Sequence, residues 1–219
     1  PSIGDAAYLV VYPALMAGLL ILVRRRNPER DRAGLIDSLI ITLGLSLISW
    51  VALIQPSLHD DGLSTVAKLV SIAYPVGDIL LLAAAIRLAV DTGARRPAFY
   101  LLALSIVALL ATDFAYGLVT LAGAYDGQVW LDVGWISFYL LWGAAALHPS
   151  MTQLSARAPE TDASLSGRRI LLLAAATLIA PATLVADQFW PIDGFDVAVA
   201  AGASAVLFGL VPIRMLGVV

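Results

Sequence analysis

Long apolar segments separated by short polar stretches dominate this chain of 219 residues. Each is close to the roughly 20 residues that an α-helix needs to cross the hydrocarbon core of a bilayer. The pattern predicts an all-α fold, a single seven-helix transmembrane domain over residues 1–219. The predicted helices are Ala6–Val23, Gly34–Ile54, Thr65–Val90, Ala98–Ala122, Val133–Leu147, Ile170–Ala186 and Val197–Leu216.

The composition narrows the classes of function. Hydrophobic residues make up 60% of the chain and charged residues 13%, which is typical of a membrane protein. The net charge of −3 and the dispersed basic residues do not indicate a nucleic-acid partner. The absence of cysteine excludes disulfides, thiolate metal sites and cysteine catalysis. No recognised catalytic or nucleotide-binding motif occurs, so the sequence predicts neither an enzyme nor a cofactor.

Arginine is distributed unevenly between the two sides of the predicted bundle. The first, third and fifth loops and the helix ends beside them carry all the arginines: Arg24, Arg25, Arg26, Arg30, Arg32, Arg87, Arg95, Arg96, Arg157, Arg168, Arg169 and Arg214. The opposite side carries Lys68 as its one basic residue. The positive-inside rule then predicts an external N-terminus, a cytoplasmic C-terminus and a multi-pass location in the plasma membrane, with the lipid bilayer as a partner.

Two aspartates interrupt the apolar helices at similar depth. Asp78 lies near the middle of Thr65–Val90, about 20 Å from its start at ~1.5 Å per residue. Asp113 lies about 22 Å into the next helix, which runs in the opposite direction. A carboxylate at this depth is costly unless it is protonated, paired or hydrated, so both side chains are expected to point into the bundle.

Aromatic side chains cluster near these aspartates. A pocket for a cation or for a small extracellular or lipid-like ligand, open to the outside and walled by the first, third, fourth and fifth helices, is one interpretation. Another is a hydrogen-bonded network that only holds helices together, and a third is the aromatic belt at a membrane interface. The candidate site residues are Tyr12, Tyr74, Asp78, Asp113, Tyr116, Trp135 and Tyr139.

Other polar residues have simpler interpretations. Asp37, one turn into the second helix, is expected to act as a helix N-terminal charge or an ion-pair partner, with a signalling role as the alternative. The sequence His59-Asp60-Asp61 could bind a metal but lacks further ligands nearby, so a solvated loop is expected. His148 is expected to cap the fifth helix.

Four stretches resemble a known region: SIGDAAYLVVYP, DRAGLIDSLIITLGLSLISWVALI, AYPVGDILLLA and GWISFYLLWGAAALHPSM. They are similar to the multi-helix N-terminal membrane region that precedes GGDEF and EAL domains in actinobacterial cyclic-di-GMP signalling proteins. The resemblance implies an input module with a cytoplasmic output domain in cis. It covers nearly the whole chain but supplies no site residues, and neither the GG(D/E)EF nor the EAL signature occurs here.

Three functions follow from these observations. The first is a sensory or anchoring module of a bacterial signal-transduction protein that regulates a cyclic-di-GMP synthesis or hydrolysis domain, with a homodimer among its partners. The second is a small proton- or cation-coupled transporter that uses Asp78 and Asp113. The third is an intramembrane enzyme with that carboxylate pair as general acid and base.

Overall fold

Seven long helices make up almost all of the structure, a computed structural model that describes residues 2–26, 32–90, 96–154, 167–189 and 197–216. Each is long and apolar enough to cross a membrane, and no strand occurs in the described ranges, which confirms the all-helical prediction and fits a multi-pass membrane protein. A one-turn helix, Met151–Leu154, follows the fifth. The seven are α1 (Ile3–Arg26), α2 (Arg32–His59), α3 (Thr65–Val90), α4 (Pro97–Leu121), α5 (Val129–Leu147), α6 (Gly167–Phe189) and α7 (Val197–Met215).

Helix α2 runs past its predicted end at Ile54 because it contains a π-helical turn, Trp50–Ile54. The N–H of Gln55 donates to the carbonyl of Trp50, five residues back instead of four. Pro56 follows and has no N–H to contribute to the helical ladder. The wider turn changes the register just before this proline, and the helix continues to His59.

The helices pack in two groups that meet along α2 and α3. Helices α1, α3, α4 and α5 share one buried apolar cluster, which includes Leu19, Leu81 and Phe138. Helices α2, α6 and α7 share a second, which includes Ile40 and Leu207. Contacts of α2 with α3, and of the π-helical turn of α2 with α4, join the two groups.

Glycine lets the helices of each group approach closely. A Cβ at Gly44 on α2 would collide with the backbone carbonyl of Ala176 on α6, so these two backbones are in direct contact. A Cβ at Gly134 on α5 would likewise collide with the side chain of Thr112 on α4. Small residues at such crossings are how apolar helices gain van der Waals contact inside a bilayer, where burial from water does not drive their association.

Helices α1 and α3 run parallel to each other, which brings their polar residues together. Asp5, near the start of α1, accepts a hydrogen bond from the hydroxyl of Tyr74, and further along both helices the hydroxyl of Tyr12 meets Asp78. From the first pair to the second, the residue number increases along both helices, which is the order that parallel packing gives. Parallel neighbours need a crossing segment between them, and α2 supplies it.

Candidate functional site

The hydroxyl of Tyr12 lies between two carboxylates from two other helices. Its oxygen is 2.8 Å from Oδ1 of Asp78 on α3 and 2.7 Å from Oδ2 of Asp113 on α4. Tyr12 and Asp78 are buried, and Asp113 is partly buried. The expectation that both aspartates point into the bundle is confirmed, and each of them reaches a hydrogen-bond partner.

Trp135 brings a fourth helix to the same site. Its indole Nε1–H on α5 donates to the second oxygen of Asp113, Oδ1, at 2.7 Å. Asp113 therefore has one oxygen on Tyr12 and the other on Trp135, and the network links α1, α3, α4 and α5. These are the four helices of the first packing group.

The network has one proton fewer than its contacts require if both carboxyls are ionised. A phenol has a single proton and can donate it to one acceptor. The second short contact to the Tyr12 oxygen then needs a donor, and a protonated carboxyl of Asp78 or Asp113 supplies it. In this arrangement the two aspartates carry one negative charge between them.

The electrostatics favour the same arrangement. The bridged carboxylate oxygens can be no farther apart than the two distances added together, about 5.5 Å. Two full negative charges at that separation repel by ~3 kcal/mol at an effective dielectric constant of about 20. Among the described residues no arginine, lysine or histidine pairs with either carboxylate to offset this repulsion.

A second layer of aromatic residues surrounds the bridge. The ring of Tyr74 lies edge-on to that of Tyr12, with centroids 6.3 Å apart, and its hydroxyl donates to Asp5 at 2.9 Å. The ring of Tyr116 packs edge-on against Trp135 with centroids 5.6 Å apart. Six of the seven predicted site residues therefore lie together. Their role in binding a ligand stays a prediction, and so does the outward-opening cavity.

Tyr139 forms no hydrogen bond in this network, whereas Asp5, which is not among the predicted site residues, does. The Tyr139 side chain is 52% exposed on the perimeter of α5 and contacts the ring of its neighbour Phe138. Asp5 precedes Tyr12 by seven residues, two helical turns, so the two occupy one face of α1. That spacing was the signal in the sequence that pointed to Asp5.

A second polar cluster joins the other packing group. Asp37 on α2 is fully buried and forms ion pairs with Arg169 on α6 and Arg214 on α7, the latter at 2.8 Å from Nε. The expectation that Asp37 is an ion-pair partner is confirmed. These residues lie where α2 and α6 begin and α7 ends, so the ion pairs fix the end of α7 to the starts of α2 and α6.

The remaining candidates have local partners. His59 Nδ1 contacts the Gln55 carbonyl at 3.0 Å, and Asp60 Oδ1 accepts a hydrogen bond from the Gly62 N–H. Within the described ranges no three metal-ligating side chains come together, at this loop or elsewhere. His148, at the end of α5, accepts from the N–H of Ser150 through Nδ1.

The hydroxyl of Ser150 extends this local cap to a neighbouring helix. It accepts a hydrogen bond from the Ala98 N–H in the first turn of α4, one of the donors that a helix start leaves without an internal partner. The turn after α5 is thereby fixed to the start of α4.

Comparison of the chain with protein-family models, curated proteins and solved structures gives no match.

Proposed function

We propose that the chain is a membrane-embedded sensory or anchoring module of a signal-transduction protein, which regulates a cytoplasmic cyclic-di-GMP synthesis or hydrolysis domain on the same polypeptide. The observation that carries this proposal is the bridge from Tyr12 to Asp78 and Asp113. A buried polar contact shared by three helices has discrete hydrogen-bonding states, and each state favours a particular arrangement of those helices.

The two packing groups supply a route from such a site to the last helix. A shift of α3 against α1 at the Tyr12 bridge moves the surface on which α2 packs. Helix α2 carries Asp37, which holds Arg214 near the end of α7. The proposal therefore assigns α3 and α2 the transmitting role and α7 the output.

The proposed orientation places the start of α1 outside the cell and the end of α7 in the cytoplasm. It rests on the arginines at one end of the bundle, among them Arg24, Arg25 and Arg96 in the described residues. A cytoplasmic reporter fused after Val219 should be active and a periplasmic one inactive. The reverse result would overturn the orientation and, with it, a cytoplasmic output.

Cellular cyclic-di-GMP is the direct measurement of the proposed function. The full-length gene would be expressed as wild type, as Tyr12→Phe, which removes the bridging hydroxyl, and as Tyr139→Phe, whose hydroxyl lies outside the network. We expect Tyr12→Phe to change the cyclic-di-GMP level and Tyr139→Phe to match the wild type. A reading frame that stops after Val219, or identical levels in all three, would refute regulation of such a domain.

The carboxylate pair also favours a second candidate, a proton-coupled transporter. Buried acids without a basic partner are the usual proton carriers of transport proteins. Transport also needs a polar path to the far side, whereas the half of the first group beyond the bridge is filled by apolar residues such as Leu19, Leu102 and Ile106. Dissipation of a pH gradient in proteoliposomes, abolished by Asp113→Asn, would favour transport over sensing.

A further inference from the structure

A crevice between α1 and α5 lies in the half of the bundle away from the Tyr12 bridge. It has a volume of about 200 Å³, and Leu102 of α4 and Met151 of the one-turn helix also line it. The volume is below the ~300–1,000 Å³ of clefts that take drug-sized ligands, and it suits part of a single chain-like group. Its walls are Gly18, Ile21 and Leu22 of α1 and Trp142, Ala145 and Ala146 of α5.

The lining of the crevice matches a hydrocarbon chain. All six wall residues are apolar or, in the case of Trp142, largely so, and Ile21 at the rim is 50% exposed on the perimeter of a helix apolar enough to span a bilayer. Gly18 contributes space and no side chain, since a Cβ built there meets no atom within 4 Å. An apolar recess on a lipid-facing surface suits an acyl chain.

A positive charge lies directly beyond the crevice on the same helix face. Gly18, Ile21, Leu22 and Arg25 follow the spacing i, i+3, i+4, i+7, so Arg25 is the next residue of the face that lines the crevice. The Arg25 side chain is exposed and has no hydrogen bond or ion pair within the described part of the chain. Arg96, at the start of α4, is exposed at the same end of the bundle.

We propose that this crevice and Arg25 form a binding site for one anionic glycerophospholipid from the leaflet at the arginine-rich end. The acyl chain lies against Gly18 between α1 and α5, and the phosphate lies at Arg25, whose planar guanidinium suits phosphate oxygens. Charge complementarity selects the anionic head group, and the crevice holds the chain. The site does not involve the Tyr12 bridge, so it is independent of the proposed signalling function.

The test uses the purified chain in detergent, titrated with palmitoyl-oleoyl phosphatidylglycerol or with the zwitterionic phosphatidylcholine of the same chains. Native mass spectrometry counts bound lipids, and thermal unfolding measures stabilisation. We expect the wild type to retain one phosphatidylglycerol and to show the larger rise in Tm with that lipid. Equal retention and equal Tm shifts for the two lipids would overturn the proposal.

Two pairs of variants separate the chain site from the charge. Gly18→Leu fills the crevice and should abolish the bound-lipid peak, whereas Gly209→Leu, at another glycine with open space on α7, should retain it. Arg25→Gln should remove the preference for phosphatidylglycerol, whereas Arg32→Gln, on a helix that does not line the crevice, should keep it. Wild-type lipid binding by Gly18→Leu or Arg25→Gln would overturn the site.

Discussion

The backbone of Gly77 on α3 lies directly against the ring of Tyr12 on α1. A Cβ at Gly77 would come within 2.8 Å of Cδ1 of that ring, closer than real side chains approach. Because Asp78 is the next residue, the absence of a side chain at Gly77 and the hydrogen bond of Tyr12 to Asp78 depend on the same close approach of two helices. The glycine therefore sets the position of the hydroxyl between the carboxylates.

Gly77→Ala should displace the Tyr12 ring and weaken its bridge. Overpacking of a tight contact costs typically ~1–3 kcal/mol, more than the ~1 kcal/mol that alanine gains over glycine in a helix. We expect a lower unfolding free energy in a detergent titration. Gly143→Ala, where the new Cβ meets nothing within 4 Å, should be neutral or slightly stabilising. Equal behaviour of the two variants would contradict the packing described here.

Tyr12→Phe should lower stability while it preserves the ring contact with Gly77. The substitution removes the hydroxyl that contacts both carboxylates, so each carboxylate loses one hydrogen-bond partner. The expected loss in unfolding free energy is ~1–3 kcal/mol. Tyr139→Phe is the matched control, because its side chain is half exposed and its hydroxyl makes no hydrogen bond to either carboxylate. Unfolding free energies in mixed micelles provide the comparison, and a difference below the error of the method would argue against the bridge.

Asp78→Asn and Asp113→Asn should each make stability less dependent on pH. In the wild type, loss of the shared proton at high pH leaves two charged carboxylates that repel across about 5.5 Å, whereas the unfolded chain separates them. The wild type should therefore lose stability as pH rises. An asparagine can donate to the Tyr12 oxygen without a titrating proton. Wild-type and variant Tm values that fall in parallel between neutral and alkaline pH would contradict the shared proton.

Asp37→Ala should be among the most destabilising single substitutions. It leaves the buried Arg214 and the partly buried Arg169 without their shared carboxylate, and breaking a buried ion pair from one side costs ~3–5 kcal/mol. Asp126→Ala, in an exposed turn, is the control for loss of one negative charge. The Tm of each variant measures the effect. A Tm for Asp37→Ala equal to that of Asp126→Ala would show that the cluster adds no stability.

The sequence by itself determined the number, type and approximate bounds of the seven helices. A segment that crosses a bilayer must be long and apolar, and its backbone groups must form hydrogen bonds within the segment. The local composition of the chain shows which segments meet this requirement. The same reasoning correctly placed Asp78 and Asp113 inside the bundle, because a carboxylate at that depth is too costly on the lipid-facing side. It did not anticipate the π-helical turn at Trp50–Ile54, which carried α2 beyond its predicted end.

Only the tertiary structure decided which polar residues meet. The sequence contains twelve arginines, and the packing of α6 and α7 on α2 brings two of them, Arg169 and Arg214, to Asp37. The parallel packing of α1 on α3, with Gly77 against Tyr12, placed one hydroxyl between two aspartates and left Tyr139 on the perimeter. Helix periodicity fixes the face on which a residue lies, but the partner across an interface depends on rotation and depth. Those are set by contacts between helices far apart in the sequence.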